Sequence, residues 1–533
     1  MSWSGLETRV GDVVGLGVLL ADSLEVEEAL WLGLEFSSAE DSPQPTNSPP
    51  MINAAAPATA ARARPAEQVF VEFSSTRFTI TPIDSVGRLM RLPRSKPLSE
   101  RESSAWANLW ITPAGRADNG RGSGVGVDGG VLVAESIGVI GGGIVGIAIA
   151  RALAMTGDVQ VSVIEKEDRV AAHQTGHNSG VVHAGLYYHP GSLKAQLCAR
   201  GRQLTREFCQ QWAMPYRELG KLVVAVSDEE LPRLDDIERR SRLNRVPGLA
   251  RMTKAEMTEI EPHVNGVAAL HSPETAVVDY VTLTETMAQQ VRRSGGEIHL
   301  KQEVVGVTQS TDRVTISTTA GSHRFDRLVV CAGLQSDLVA RLVGASPSPR
   351  ILPFRGEYWT LAPSRSDLVR GMIYPVPDPR FPFLGVHFTR GVYDDVHVGP
   401  NAVPALAREG YSWGAFSARD TFGSLTWPSA RALARQHWRM GAREMSASLI
   451  KPLYYRQARV FLPELRLRDL AEKSGAGVRA QAWDKDGSLL DDFAVDQVGP
   501  VTLLRNAPSP AATSAMAIAE YVLERHLGVV AGS

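Results

Sequence analysis

The stretch Gly141-Gly142-Gly143-Ile144-Val145-Gly146 carries the clearest chemistry in this chain. It places a Gly-x-Gly-x-x-Gly pattern on Gly141, Gly143 and Gly146. The first glycine suits a tight turn out of a strand. The second leaves the backbone open to a pyrophosphate, and the third lets a helix pack close to that strand. Ile144 opens the helix, whose unpaired N–H groups and partial positive charge favour phosphate. Glu165 ends the next apolar run, at the distance expected of the acid that takes the ribose hydroxyls. An acid there argues against a 2′-phosphate and fits the adenosine ribose of NAD or of FAD. The bland alternative is a glycine-rich turn in some other α/β fold. Strand, helix and acid in sequence favour a dinucleotide.

The elements around the motif agree. Residues 137–140 form a short apolar run, 144–155 an apolar helix and 159–164 a β-branched run, which together make a minimal parallel unit. Residues 193–212, 228–244, 254–261 and 281–294 have helical spacing, and 221–226, 297–300 and 325–330 read as strands. Residues 303–309 and 313–318 alternate like paired antiparallel strands. Residues 351–399 read as sheet with loops, 401–474 as helical and polar, and 502–505 with 511–527 as a closing strand and helix. Residues 1–134 differ: prolines at 43, 45, 49, 50, 57 and 65 among alanine, serine and threonine read as a poorly ordered extension.

Composition excludes several other functions. The chain has 533 residues, 44% hydrophobic and 21% charged, as in ordinary globular proteins. Basic and acidic residues number 56 and 58, a net charge of −2, so no basic excess points to nucleic acid. Cys198, Cys209 and Cys331 contain no Cys-x-x-Cys pair, so neither a disulfide scaffold nor a thiolate zinc site is expected. Asp491, Asp492 and Asp496 lack the glycine and glutamate of a calcium loop, and no metal is expected. The longest uncharged apolar run, 136–150, is too short to span a bilayer, and the N-terminus does not read as a signal peptide. The expectation is a cytoplasmic protein, peripheral on the inner face of the cell membrane if residues 404–448 form an amphipathic face.

Beyond these readings, longer segments carry a resemblance. The polar loop 173–180 and the turn Cys331-Ala332-Gly333 resemble those of FAD-dependent oxidoreductases related to D-amino acid oxidase and glycerol-3-phosphate dehydrogenase. Residues 177–188 (HNSGVVHAGLYY), 353–358 (PFRGEY), 376–390 (VPDPRFPFLGVHFTR), 399–403, 477–481 and 505–513 resemble the L-2-hydroxyglutarate dehydrogenases and oxidases. The likeness covers about residues 136–528 and leaves out 1–134. It implies an α/β fold: a Rossmann-like FAD-binding domain with an inserted antiparallel-sheet substrate domain. The cofactor parts fall at about 135–220, 281–345 and 475–528, and the substrate parts at about 221–280 and 346–474. It implies oxidation of L-2-hydroxyglutarate to 2-oxoglutarate by hydride transfer to flavin, with electrons passed to oxygen or a quinone. Another 2-hydroxy acid, an amino acid, or flavin binding without turnover are the competing readings.

That reaction asks for particular groups. Histidine is the natural base near neutral pH, and His183 and His387 are the candidates. Arginine holds a carboxylate bidentately, so Arg355, Arg380 and Arg390, with Tyr187, are candidates for the two carboxylates of the substrate. Arg355 is also counted with the catalytic groups. The expected FAD contacts are Gly141, Gly143, Ile144, Gly146, Glu165 and Lys166, then Thr175, Asn178, Ser179 and Gly180, and finally Val304, Ala332, Gly333, Ser509 and Thr513. Ser509 or Thr513 is expected to cap the last helix beside the cofactor.

Overall fold

The computed structural model describes residues 134–378, 385–412, 414–428, 441–442, 444–446 and 448–529. The extension expected at 1–134 lies, but for its last residue, outside the described residues, as does Arg380.

Strand β1 (Glu135–Ile140) runs into helix α1 (Ile144–Thr156), and the chain returns as strand β2 (Val159–Ile164). The sequence favours this unit for plain reasons. The last four residues of β1 are buried, so a continuous apolar run suits a strand covered on both faces. Helix α1 packs Ile147, Ile149 and Leu153, all fully buried, against the sheet, and it stops at Gly157, which takes the left-handed conformation that favours glycine. Strands β1 and β2 pair in parallel in register from Glu135–Val159 to Ile140–Ile164. Six strands complete the sheet in the order Ala494–Val498, Val501–Asn506, Arg327–Val330, β1, β2, Glu297–His299. All pairings but the first are parallel. A three-stranded antiparallel sheet, Val304–Gln309, Val314–Thr318 and Gly321–Phe325, is inserted before the Arg327–Val330 strand.

The second large sheet has nine strands drawn from two insertions. Leu470–Trp483 pairs along Arg350–Leu361. On the other side of Arg350–Leu361 come Val396–Gly399 and Val403–Pro404. His387–Arg390, Met372–Pro375, Lys221–Ala225, Ala268–Ser272 and Ala250–Thr253 then follow in order. It is antiparallel except where Lys221–Ala225 meets Met372–Pro375 in parallel. Two expectations change here. The boundary at about 475 falls inside the 14-residue strand Leu470–Trp483, which belongs to the substrate sheet. Among the described residues, 401–474 are partly helical: Ala418–Leu425, residues within 441–449 and Lys451–Arg459 are helical before that strand begins.

Two helices close the cofactor side. Leu193–Gln211 and Ala511–Val522 approach so tightly that a Cβ on Gly201 would lie 2.3 Å from the Thr513 carbonyl oxygen. Leu193–Gln211 starts on the Asp492 carboxylate, which accepts from the Leu193 and Lys194 N–H groups at 2.9 and 2.8 Å. The aspartates at 491–492 therefore act as helix-starting and ion-pairing groups, Asp491 with Lys194 at 2.7 Å.

Candidate active site

The glycine motif forms the turn expected of it. Gly141 has φ +108°, and a Cβ there would meet the Cys331 carbonyl oxygen at 2.3 Å. A Cβ on Gly146 would lie 2.0 Å from the Gly141 oxygen, so any side chain would drive α1 off β1. At Gly143 the space is open: the only neighbour of an added Cβ is Thr175 Oγ1 at 3.5 Å. That is the cradle a pyrophosphate needs. Glu165 is held by two backbone donors, Gly142 N–H to Oε2 (2.6 Å) and Glu167 N–H to Oε1 (2.8 Å). A carboxylate has about four acceptor positions, so acceptors remain for ribose hydroxyls. Thr175 Oγ1 accepts the Ile144 N–H at 3.0 Å and fixes the polar loop to the start of α1.

A cavity of about 900 Å3 runs from this turn between the two sheets. Gly141, Gly143, Ile144, Gly146, Glu165 and Lys166 line its adenosine-side end, with Thr175, Asn178 and Ser179 further along. Val304, Ala332, Gly333, Ser509 and Thr513 complete the wall. A long trough with an open glycine turn, a ribose-facing acid and a polar loop fits FAD. Gly180 is off the wall. It takes φ +68° and accepts the Val278 N–H at 2.9 Å, which holds the loop to its neighbour. The cap expected from Ser509 or Thr513 is absent: the last helix starts at Pro510 without a side-chain cap. Thr513 does something else. Its hydroxyl accepts the His183 N–H at 3.1 Å and pairs with Tyr280 Oη at 3.1 Å.

His183 lines the far end of the same cavity with Tyr358 and Arg479. Behind them the substrate sheet presents a cluster. His387 and Tyr374 stand opposite each other across paired strands, with ring centroids 3.9 Å apart. Lys221 Nζ sits 4.2 Å from the Tyr374 ring centroid and 5.7 Å from that of Tyr187. His387 Nδ1 donates to the Gly385 carbonyl at 2.9 Å, which leaves Nε2 as the acceptor nitrogen. Burial, with Arg479 and Lys221 nearby, lowers the His387 pKa to about 3. Burial likewise holds His183 well below the ordinary imidazole value, and the nearby cations Lys221 and Arg479 add to it. Both rings are therefore neutral at pH 7. The cluster is rich in cations and donors, a setting made for an anion.

Two of the expected arginines, Arg355 and Arg390, do not line the cavity. In the Arg350–Leu361 strand, Gly356 and Tyr358 line the cavity, while Arg355 and Glu357 stand off its wall. There Arg355 donates to the Ser412 carbonyl at 2.6 Å and pairs with Glu357 at 3.5 Å. Arg390 is one residue out of phase with His387 and Thr389. It donates to the Ser366 and Val369 carbonyls at 2.6 and 2.8 Å and pairs with Asp394 at 2.9 Å. Tyr187 stays off the cavity wall but stands in the Lys221 cluster. Lys221, Tyr358, Tyr374 and Arg479 were missed as site residues. The available signals were a lysine opening the all-apolar run LVVA and an arginine in the 477–481 segment.

Trough and cluster together define an oxidoreductase that binds a dinucleotide beside an anion pocket. The FAD dependent oxidoreductase family matches residues 136–525. The mitochondrial L-2-hydroxyglutarate dehydrogenase of Caenorhabditis elegans is 44% identical over 395 residues, 72% of this chain and 91% of that one. L-2-hydroxyglutarate dehydrogenase of Escherichia coli (strain K12) is 42% identical over 391 residues, 73% and 92% of the two chains. Among solved structures, L-alpha-glycerophosphate oxidase from Mycoplasma pneumoniae with FAD bound has a TM-score of 0.60 at 20% identity, covering 73% of this chain and 94% of that one. The chain belongs to the FAD-dependent oxidoreductase family and, within it, to the L-2-hydroxyglutarate dehydrogenases.

Proposed function

We propose that this chain oxidises L-2-hydroxyglutarate to 2-oxoglutarate. The observation that carries the reading is the cluster itself: His183 and Arg479 on the wall of an FAD-shaped trough, with Lys221 and the neutral His387 behind them. FAD, when bound, supplies the acceptor for the hydride that leaves the α-carbon. Arg479 holds the first carboxylate of the substrate, because it lines the trough and offers a planar fork of donors. His183 takes the hydroxyl proton on a ring nitrogen as the carbon–oxygen double bond forms. The Thr513 hydroxyl, bonded to the His183 N–H, keeps that residue at the trough wall. An amino acid is disfavoured by the same cluster. Its ammonium would face Lys221 and Arg479, and among the described residues no carboxylate pairs with Lys221. Adding L-2-hydroxyglutarate to the purified protein without oxygen is expected to bleach the flavin absorbance, while L-amino acids leave it unchanged. Bleaching by amino acids alone would sink the reading.

For the electron acceptor the proposal is a membrane quinone, reached from the cytoplasmic face of the cell membrane. Among the described residues no helix is long and apolar enough to cross a membrane. Helix Ala418–Leu425 buries none of its residues. Phe422, Phe416, Leu425 and Leu449 are 72%, 64%, 63% and 61% exposed, an apolar set that invites lipid. Arg431, Arg435, Arg439, Arg443 and Lys451 follow in the sequence and suit anionic headgroups. The protein is expected to float with anionic vesicles, and a Phe422→Ser, Leu425→Ser double variant to float about 10-fold less. Equal recovery of both in the vesicle-free fraction would remove the membrane contact.

A further inference from the structure

Lys221 opens the strand Lys221–Ala225, whose five residues are all buried. It is itself only 1% exposed. Among the described residues its Nζ has no hydrogen-bond partner, and neither does the nearby Tyr187 hydroxyl. Among the described residues no carboxylate stabilises it, and burial lowers its pKa to about 7. The faces of Tyr374 and Tyr187 are its near neighbours.

A buried ammonium without a counter-ion is costly to keep. One reading is a core lysine whose stem fills space. Methionine would fill that space without the desolvation cost. The placement argues otherwise. Lys221 and Tyr374 share one face of adjacent, parallel strands, and His387 faces Tyr374 on the next strand. Two orphan donors, Nζ and the Tyr187 hydroxyl, thus lie together behind His183 and Arg479. The trough wall at His183 and Arg479 takes the hydroxyl and the first carboxylate. A second carboxylate on the same molecule then extends away from the trough, toward Lys221. The four-carbon stem lets the ammonium follow it without moving the strand.

We propose that Lys221, with the Tyr187 hydroxyl, binds the distal carboxylate of the substrate and sets the preference for a dicarboxylate over a monocarboxylate 2-hydroxy acid. This rests on the 2-hydroxyglutarate reading above. The test compares wild type with Lys221→Met and Lys221→Gln, all as FAD holoenzymes. The substrates are L-2-hydroxyglutarate and L-2-hydroxypentanoate, which has the same carbon chain but lacks the second carboxylate. In the variants KM for L-2-hydroxyglutarate is expected to rise about 100-fold, while KM for L-2-hydroxypentanoate moves less than about 3-fold. A second readout needs no turnover: glutarate, titrated into the holoenzyme, perturbs the flavin spectrum in wild type and no longer does so in the variants. An unchanged ratio of the two KM values in either folded variant overturns the proposal. So does loss of FAD from both variants, which makes Lys221 a structural residue. A wild type that ignores L-2-hydroxyglutarate removes the parent reading. A wild type that oxidises it with the ratio intact in the variants removes this inference alone.

Discussion

Replacing His183 with alanine slows anaerobic bleaching of the flavin by L-2-hydroxyglutarate about 1,000-fold and leaves FAD bound. The loop does not depend on the imidazole for its position. Its backbone is pinned at both ends: the His183 N–H donates to Thr513 Oγ1, and the His183 carbonyl accepts from Cys198 Sγ at 3.3 Å. Removing the ring therefore removes a proton acceptor and little else. The pH profile follows from the shift. Burial, then the cations Lys221 and Arg479, keep His183 below its ordinary value, so it stays neutral and competent into mildly acid solution. A substrate carboxylate beside each cation cancels part of that field and raises the imidazole pKa. The acid limb of kcat then lies at higher pH than the acid limb of kcat/KM. Wild-type rates in the alanine variant, by stopped-flow absorbance, would exclude His183 as the base.

The parts of the site that could be read in the sequence are those built from neighbours in the chain. The turn at Gly141–Gly146, the acid at Glu165 and the loop through Thr175, Asn178 and Ser179 do their work within consecutive segments, so spacing alone reveals them. The anion pocket is different. Lys221, Tyr374, His387 and Arg479 come from separate strands of the nine-stranded sheet, and His183 follows Val181–Val182 in another sheet, so they meet only in the folded chain. A strand's face depends on register, and an error of one residue swaps inside for outside. That is why Arg355 and Arg390, each beside a cavity-side or cluster residue in sequence, stand off the cavity wall. Leu470–Trp483 was hidden for another reason. Its first half, Leu-Ala-Glu-Lys-Ser-Gly-Ala, has little β-branched or aromatic character, and its pairing along Arg350–Leu361 overrides that local preference.

Buried polar groups in this sheet divide by what satisfies them. Glu357, off the cavity wall, is fully engaged: it accepts from Ser448 Oγ at 2.7 Å and Lys473 Nζ at 2.9 Å, and its N–H donates to Asn401 Oδ1 at 2.9 Å. This network ties residues 401 and 448 to the Arg350–Leu361 strand and gives Arg355 its ion-pair partner there. Lys221 Nζ and the Tyr187 hydroxyl differ: both are buried and have no hydrogen-bond partner among the described residues. Buried donors of this kind are what a ligand acceptor resolves.

Arg479→Met is expected to lower kcat/KM for L-2-hydroxyglutarate about 1,000-fold, mainly through KM, and Arg479→Lys about 30-fold. Lysine keeps the charge but loses the fork that meets both oxygens of a carboxylate. The distinguishing feature is selectivity. Every 2-hydroxy acid carries the first carboxylate, so L-2-hydroxyglutarate and L-2-hydroxypentanoate lose the same factor and their ratio holds. Substitution of Lys221 changes that ratio instead. Arg479 is also one of the charges that depress His183. Removing it raises the His183 pKa, so the acid limb of kcat/KM moves to higher pH in Arg479→Met and stays near wild type in Arg479→Lys. A residue that merely braced the strand would weaken the protein without moving that limb. If Arg479→Met instead changes the ratio of the two substrates, the first carboxylate is held elsewhere, and Arg479 and Lys221 exchange the roles assigned to them.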